Sequence, residues 1–425
     1  MVAEETLNGF TGFGRKNSNF QYSRSHDDAQ ARAAAPFDQD RVDAIDPMSR
    51  RWAWIEIDLS AIRHNVTEAR RHMRPGCKLC AVVKADAYGH GAVRVARTAL
   101  SSGADMLAVA TVDEGVELRK DGIGADILIL SEPPAAASPL LLEYQLMPSV
   151  YTAEFALAYA ELADQHGMRA PFHLALNTGM NRIGVRSENV IEFLRQINFH
   201  RALDLKGTFT HFATADCPEN LDFSIQVNRF LEAIDAMRTA GVDPGIVHAA
   251  NSAALFRYPD VHFDMCRLGI SLYGFHPCPE THSLANLKPA MRVYARITDC
   301  KTVPMSEGVS YGLNYRSPGS VKICTVPLGY GDGLNRALSG QTNFILDGQY
   351  CRQVGNICMD QCMFEVDLRT YGTRRRLDPQ IGDIVTVVGS QGDAVCTITE
   401  MAYQLHTIEH ELCIAFSLRL PRIYV

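Results

Sequence analysis

The stretch KLCAVVKADAYGHG, residues 78–91, decides how the chain is read. Its apolar run, Leu79–Val83, has the length of a buried strand and stops at Lys84. A loop follows in which Gly89 and Gly91 flank His90, and glycine lets backbone come close to a ligand. Outward from here the pattern recurs. Apolar runs at Met106–Ala110, Ile127–Leu130, Leu146–Val150, Phe172–Leu176, Leu205–Thr210, Ile246–Ala249 and Cys266–Ile270 alternate with helical stretches such as Gly91–Leu100, Ala153–Gln165 and Asp222–Thr239. Eight strands with crossovers over about 200 residues fit a closed, TIM-type (β/α)8 barrel, expected over residues 58–285. The rival is an open doubly wound sheet; no G-x-G-x-x-G follows a strand, which weighs against it.

From about Leu287 the helical period stops. Met291–Val303, Val321–Val326, Thr342–Leu346 and Ile384–Val388 read as β-branched strands separated by Gly, Pro and Asp turns, so residues 286–425 are expected to form a mostly β domain. Ahead of the barrel, Ala53–Ile57 reads as a strand, and Ser60 as the cap of a helix running to about Met73. Residues 1–51 mix polar residues with short apolar islands and no period, the composition of a flexible or partly wrapped extension.

The chain has 425 residues, 47% of them hydrophobic, and a net charge of −7, enough to bury a core without staples. No basic stripe points to nucleic acid. No apolar run approaches the ~20 residues of a membrane helix. The acidic start lacks the apolar region of a secretory signal, so the expected location is the cytoplasm, with all twelve cysteines as reduced thiols.

A lysine at the C-terminal end of a barrel strand points into the face where barrels do chemistry. Apolar neighbours favour its neutral amine, which can form a Schiff base. The wording of the segment says more. VVKADAYGHG (82–91) resembles the pyridoxal-phosphate lysine motif of the alanine racemases. The resemblance continues, in the family's order, through NTGMNRIG (177–184), THFATAD (210–216), ANSAA (250–254), RLGISLYG (267–274), VSYG (309–312), PLGYGDGLNR (327–336), GNICMDQC (355–362) and LPRIY (420–424). That family is a barrel plus a β domain, and in it the first strand crosses over, which would place Ala53–Ile57 with the β domain.

The resemblance implies roles residue by residue. Lys84 would carry pyridoxal 5'-phosphate. Tyr88, Asn251, Ser252 and the Gly269 and Ile270 amides would hold it, the last three in the two loops where barrels commonly bind phosphate. Arg267 would face the pyridine nitrogen, donating without handing over a proton and so favouring plain proton exchange. His211 would stack on the ring and link towards Arg267. Arg182 and the Met359 and Asp360 loop would meet the substrate, a small amino acid. Asp216, Tyr330 and Arg336 would line the gate that admits it. Racemisation needs a base on each face of the α-carbon, because one base returns the proton to the side it left. Lys84 and Tyr311 would be those bases, with Tyr311, Met359 and Asp360 supplied by the second subunit of a homodimer. The implied function is interconversion of L- and D-alanine for peptidoglycan. A broader or serine-specific racemase is the first alternative. A non-catalytic pyridoxal-phosphate-binding protein is the second, and a decarboxylating relative the third.

Four positions depart from the family pattern. His410 stands where a tyrosine near the phosphate is usual, and Asn356 where many relatives carry arginine. Ala175 and Asn177 replace a carbamylated lysine and an aspartate that support Arg182 elsewhere. A small anion, chloride, is therefore expected between Asn177 and Arg182. Two weaker signals are set aside. His406-Thr-Ile-Glu409-His410 matches H-x-x-E-H, but no acidic ligand follows Glu411, so no metal is expected. Cys77-Lys-Leu-Cys80 lacks the second pair that zinc needs.

Overall fold

The computed structural model describes residues 46–197, 200–217, 221–366 and 377–425. Most of the expected extension, residues 1–45, lies outside the described residues. Its end does not: Pro47–Arg50 forms one helical turn, and Arg51 donates to Asp332 at 2.5 Å and to the Pro327 carbonyl at 3.1 Å.

The first strand, β1 (Ala53–Ile57), is followed by a helix, α1 (Leu59–His72). Asp58, not Ser60, caps α1, because its carboxylate accepts from the Ser60 and Ala61 amides at 2.9 and 3.0 Å. A carboxylate also complements the positive end of the helix dipole. Eight parallel strands come next: β2 (Lys78–Val82), β3 (Met106–Val109), β4 (Asp126–Ile129), β5 (Met147–Val150), β6 (Ala170–Asn177), β7 (Leu203–Phe209), β8 (Ile246–His248) and β9 (Met265–Leu268). Each pairs with the next, and β9 pairs back onto β2, so the sheet closes. Helices cover its outside, and strands buried on both faces read as unbroken apolar runs. Leu79, Leu107, Leu128 and Leu174 are accordingly fully buried.

The second region is built on β10 (Met291–Arg296), β11 (Asp299–Val303), β12 (Val321–Val326), β13 (Asn343–Leu346), β14 (Gln349–Val354), β15 (Cys362–Val366), β16 (Ile384–Gln391), β17 (Ala394–Cys396) and β18 (Arg422–Tyr424). Among the described residues the sheet order is β11-β12-β15-β14-β13-β16-β10-β1-β18, with β17 on β16. Thus β1 lies antiparallel to β10 and parallel to β18, tying the chain's early strand to its last one. In β10 the buried residues Met291, Val293 and Ala295 alternate with partly exposed Arg292, Tyr294 and Arg296, the period of a strand with one wet face.

Two expectations are corrected. Met291–Val303 is not one strand: it breaks at Ile297 and Thr298, whose backbone turns to Asp383 and Thr325 respectively. Nor are all cysteines thiols. Cys300 and Cys324 stand directly opposite in the β11–β12 ladder and are joined as a disulfide. No helix among the described residues is long and apolar enough to cross a membrane.

Candidate active site

The C-terminal ends of the barrel strands surround a cavity of about 670 Å³. Lys84 sits on its wall. The chain leaves β2 at Val83, whose amide bonds the Ala108 carbonyl, and then makes an unusual turn. Ala85, Asp86, Ala87 and Tyr88 have φ of 52°, 51°, 52° and 53°, a left-handed helical turn built of non-glycine residues. Each such residue costs roughly 1–2 kcal/mol, so the surroundings must hold the turn. Glu114 does much of this: one carboxylate oxygen accepts from the Ala85 amide at 2.6 Å and the other from the Ala110 amide at 2.7 Å. Asp86 accepts from the Ala92 amide at 2.8 Å. Gly89 lies so close to the helix over Glu409–Ala415 that a Cβ would meet the Cys413 carbonyl at 2.5 Å.

The turn leaves Lys84 and Tyr88 at the same cavity. Burial, with Arg182 second, holds the Lys84 ammonium below the usual lysine range, which favours the free amine. Burial pushes the Tyr88 phenol up to about 12, so it stays a protonated donor. Its ring packs on Tyr273 at 4.8 Å between centroids. A Cβ on Gly269 would lie 3.4 Å from the Tyr88 hydroxyl and 3.6 Å from Ser252 Oγ. The bare glycine therefore leaves a cradle between two hydroxyls. Ser252 Oγ accepts from the Gly269 amide at 2.9 Å, and Ile270 opens the short turn that follows. Asn251 caps the helix that begins here, accepting from the Ala254 amide at 3.0 Å.

Arg267 rises from β9 and is almost wholly buried. Nη2 donates to the Thr210 and Ala249 carbonyls at 2.9 and 3.0 Å, and to His211 Nδ1 at 3.3 Å. Nη1 meets His248 Nδ1 at 2.9 Å. None of these partners is a carboxylate. Burial lowers the guanidinium to about 10, which leaves it charged at neutral pH. Burial, then Arg267, Arg182 and Lys84, depresses His211 to about 3, so its imidazole is neutral.

Arg182, Asp216, Ala175, Asn177 and His410 line the same cavity. Arg182 is exposed rather than buried, and Asn177 is spent locally: its carbonyl accepts from the Gly179 and Asn181 amides at 3.1 and 3.0 Å, and its amide donates to Asn181 at 3.1 Å. His410 tilts against Tyr88 at 5.7 Å, with its buried Nδ1 unpartnered among the described residues. No group of three or more His, Cys, Asp or Glu among them could hold a metal ion.

Tyr311, Tyr330, Arg336, Met359 and Asp360 do not line this cavity. They lie on the β domain, in loops tied to one another. Asn356 donates to the Tyr311 carbonyl at 2.7 Å, and the Tyr330 and Gly331 amides donate to the Cys358 and Met359 carbonyls at 3.0 and 2.8 Å. Asp360 pairs with Arg419 at 2.5 Å. Tyr311 is held on a strained turn, with φ of 69° at Ser310 and 49° at Leu313.

The family model described as the N-terminal domain of alanine racemase matches residues 57–277, and that described as its C-terminal domain matches residues 290–424. The chain belongs to the alanine racemase family. It is 42% identical to the alanine racemase of Synechocystis sp. over 89% of this chain and all of that protein. It is 40% identical to that of Nostoc sp., over 88% of this chain and 96% of the relative. The crystal structure of alanine racemase from Bacillus anthracis with bound L-Ala-P superposes with a TM-score of 0.82 at 36% identity, covering 88% of this chain and 95% of that one. A histidine racemase from Leuconostoc mesenteroides shares the fold at a TM-score of 0.78 and 28% identity, covering 88% and 98%. Two supporting residues of this alanine racemase fold escaped the sequence reading. Glu114 was legible as the end of Thr111-Val-Asp-Glu114, a capping-box signature. Gln226, which clamps the His211 carbonyl and the Ala213 amide at 3.2 and 2.8 Å, left no local signal.

Proposed function

We propose that this protein interconverts L-alanine and D-alanine with pyridoxal 5'-phosphate held at the barrel mouth. One observation carries the reading: a lysine biased towards its free amine shares a cavity with a buried arginine that has no carboxylate partner, while the second candidate base stands elsewhere on the chain. The residues present fit the cofactor. The Gly269 cradle and the Tyr88 and Ser252 hydroxyls would take its phosphate, with Asn251 fixing the Ser252 helix, and Arg267 would donate to its ring nitrogen. When bound, it supplies the electron sink that makes the α-proton removable.

The chain's own residues then divide the work. Lys84 anchors the cofactor and moves the α-proton at Nζ on one face. Neutral His211, held by Arg267 Nη2 at 3.3 Å, would pack beside the cofactor ring. The partner subunit's Tyr311 moves the proton at its hydroxyl on the opposite face. The Met359 amide and Arg182 orient the substrate carboxylate, and Asp360 steadies the Met359 loop through Arg419. Asp216 on one chain, with Tyr330 and Arg336 on the other, forms the gate. This sharing is supported by the exposed position of Tyr311, Tyr330 and Met359 in a single chain, outside the cavity that holds Lys84. The proposed setting is a cytoplasmic homodimer that supplies D-alanine for peptidoglycan. Chiral chromatography of products from L-alanine, D-alanine and L-serine tests the reading; no conversion of either alanine enantiomer by cofactor-loaded protein would end it.

A broader or serine-directed racemase is the second reading. It is favoured by Ala175, Asn177 and His410 at the cavity wall and by the shared fold of a histidine racemase. Turnover of L-serine or L-histidine at rates comparable with L-alanine would select it. We also propose chloride beside Arg182. The guanidinium has no ion-pair partner among the described residues, and Ala175 fills little space. Asn177 is already committed to Gly179 and Asn181, so the anion would rest mainly on Arg182. Replacing chloride with a large, poorly coordinating anion at constant ionic strength should raise KM severalfold; kinetics indifferent to chloride would refute it.

A further inference from the structure

Three buried side chains run in line from the cavity into the barrel interior. Arg267 Nη1 lies 2.9 Å from His248 Nδ1, and His248 Nε2 lies 2.9 Å from His173 Nδ1. A guanidinium offers donors only, which sets the direction of the chain. His248 Nδ1 must accept, so the His248 proton sits on Nε2 and is donated to His173 Nδ1. The His173 proton is then on its own Nε2, a buried atom with no partner among the described residues. Both rings are fully buried. Burial, with the Arg267 charge second, depresses His173 to about 3 and His248 well below its usual value. Protonation therefore does not scramble the chain at neutral pH.

The backbone is shaped to admit His173. The pairing of β6 with β7 shifts register between Phe172 and His173, so that His173 faces Gly207 and Lys206 is the extra residue. Such bulges re-aim side chains. A Cβ on Gly207 would lie 2.6 Å from His173 Nδ1 and 2.7 Å from the Ile246 carbonyl, so no other residue fits without displacing the ring or the strand.

We propose that His173 is a positioning residue for the racemisation: by accepting from His248 Nε2 it locks the His248 tautomer and so aims the Arg267 guanidinium at the cavity. With the other tautomer, His248 Nδ1–H and Arg267 Nη1–H would face each other as two donors, and the guanidinium would have to turn. This rests on the reading of Arg267 as the partner of the cofactor ring.

The test compares His173→Leu with His173→Asn in the cofactor-loaded protein. Asparagine places an acceptor oxygen near the position of Nδ1; leucine has similar bulk and no acceptor. Small misplacements of such groups cost up to about 100-fold, so His173→Leu should lower kcat by at least about 10-fold with little change in KM. It should also shift the visible absorption of the bound cofactor, while His173→Asn keeps both near wild type, although the two lose similar thermal stability. Equal losses of kcat and equal spectra in the two variants would overturn the proposal. If neither variant folds, nitrogen-15 spectra of the histidine-labelled wild-type protein decide it. Nε2–H tautomers on both rings support the relay, and an Nδ1–H tautomer on His248 overturns it. Failure of the underlying reading looks different: wild-type protein would then bind no cofactor or racemise nothing.

Discussion

The barrel mouth and the Tyr311 surface are built by opposite rules. At the mouth, Arg267 is 3% and Tyr88 6% exposed, and the groups around Lys84 are fixed by a left-handed turn, a capping carboxylate and buried histidines. On the β domain, Tyr311 is 74% and Met359 53% exposed. The barrel therefore sets its electrostatics within one chain, through desolvation. The β domain presents its groups on solvated loops, and in the proposed homodimer their environment would come from the second copy. A phenol acts as a base only where its neighbours favour the phenolate, so the groups that a partner would bring to Tyr311 are part of its proposed chemistry.

The largest effect is expected at the mouth. Lys84→Ala should abolish both racemisation and the visible band of the attached cofactor; normal turnover without added amine would remove Lys84 from the mechanism. On the other surface, Tyr311→Phe should slow α-proton exchange by roughly 10²–10⁴-fold, and unequally for the two enantiomers, since one face keeps its base. Equal and minor effects on solvent-isotope exchange from L- and D-alanine would show that the exposed tyrosine is not the second base. Mixing the two inactive variants tests whether the regions meet across subunits. After random exchange about a quarter of all sites would combine an intact Lys84 with an intact Tyr311, and activity should return to that level. Proven exchange without recovery would confine each site to one chain.

A pH effect on stability tests the interior. His90, His173 and His248 are buried and neutral, with His90 depressed to about 4 and His173 to about 3, burial being the main cause. The unfolded chain takes up these protons near pH ~6.5, and the folded chain only near its depressed values. Stability from these groups is therefore whole above about pH 6.5 and falls below it, by about 1.4 kcal/mol per pH unit for each histidine until its folded value is reached. A melting temperature unchanged between about pH 7 and pH 5 would contradict a charge-free histidine interior.

Legibility followed the range of the forces involved. The eight barrel strands fell within a few residues of their expected bounds because a strand buried on both faces must be apolar along its length. Lys84, Tyr88, Arg267 and Ser252 were found through motifs, and the barrel brought them to one cavity. Asp58 displaced Ser60 as cap because both residue types suit that position and only the strand's end chooses between them. The Cys300–Cys324 pair was missed because cross-strand register is not written in either segment alone. Arg182, found through its motif, is exposed in the single chain, a property its motif does not carry.

The periodicity of the barrel, the switch to a β domain, the family and the residue types of the proposed chemistry are all legible in the order of residues along the chain. These are local or ordered along the chain: apolar runs, glycine spacing and motif order survive without coordinates. Folding in three dimensions sets which of those residues share a cavity, gives Arg267 imidazoles and carbonyls rather than a carboxylate for partners, and leaves Tyr311 outside the cavity. Those outcomes depend on contacts between segments far apart in the chain, such as the bulge at His173 opposite Gly207. They depend equally on the loss of solvent that only a closed barrel imposes.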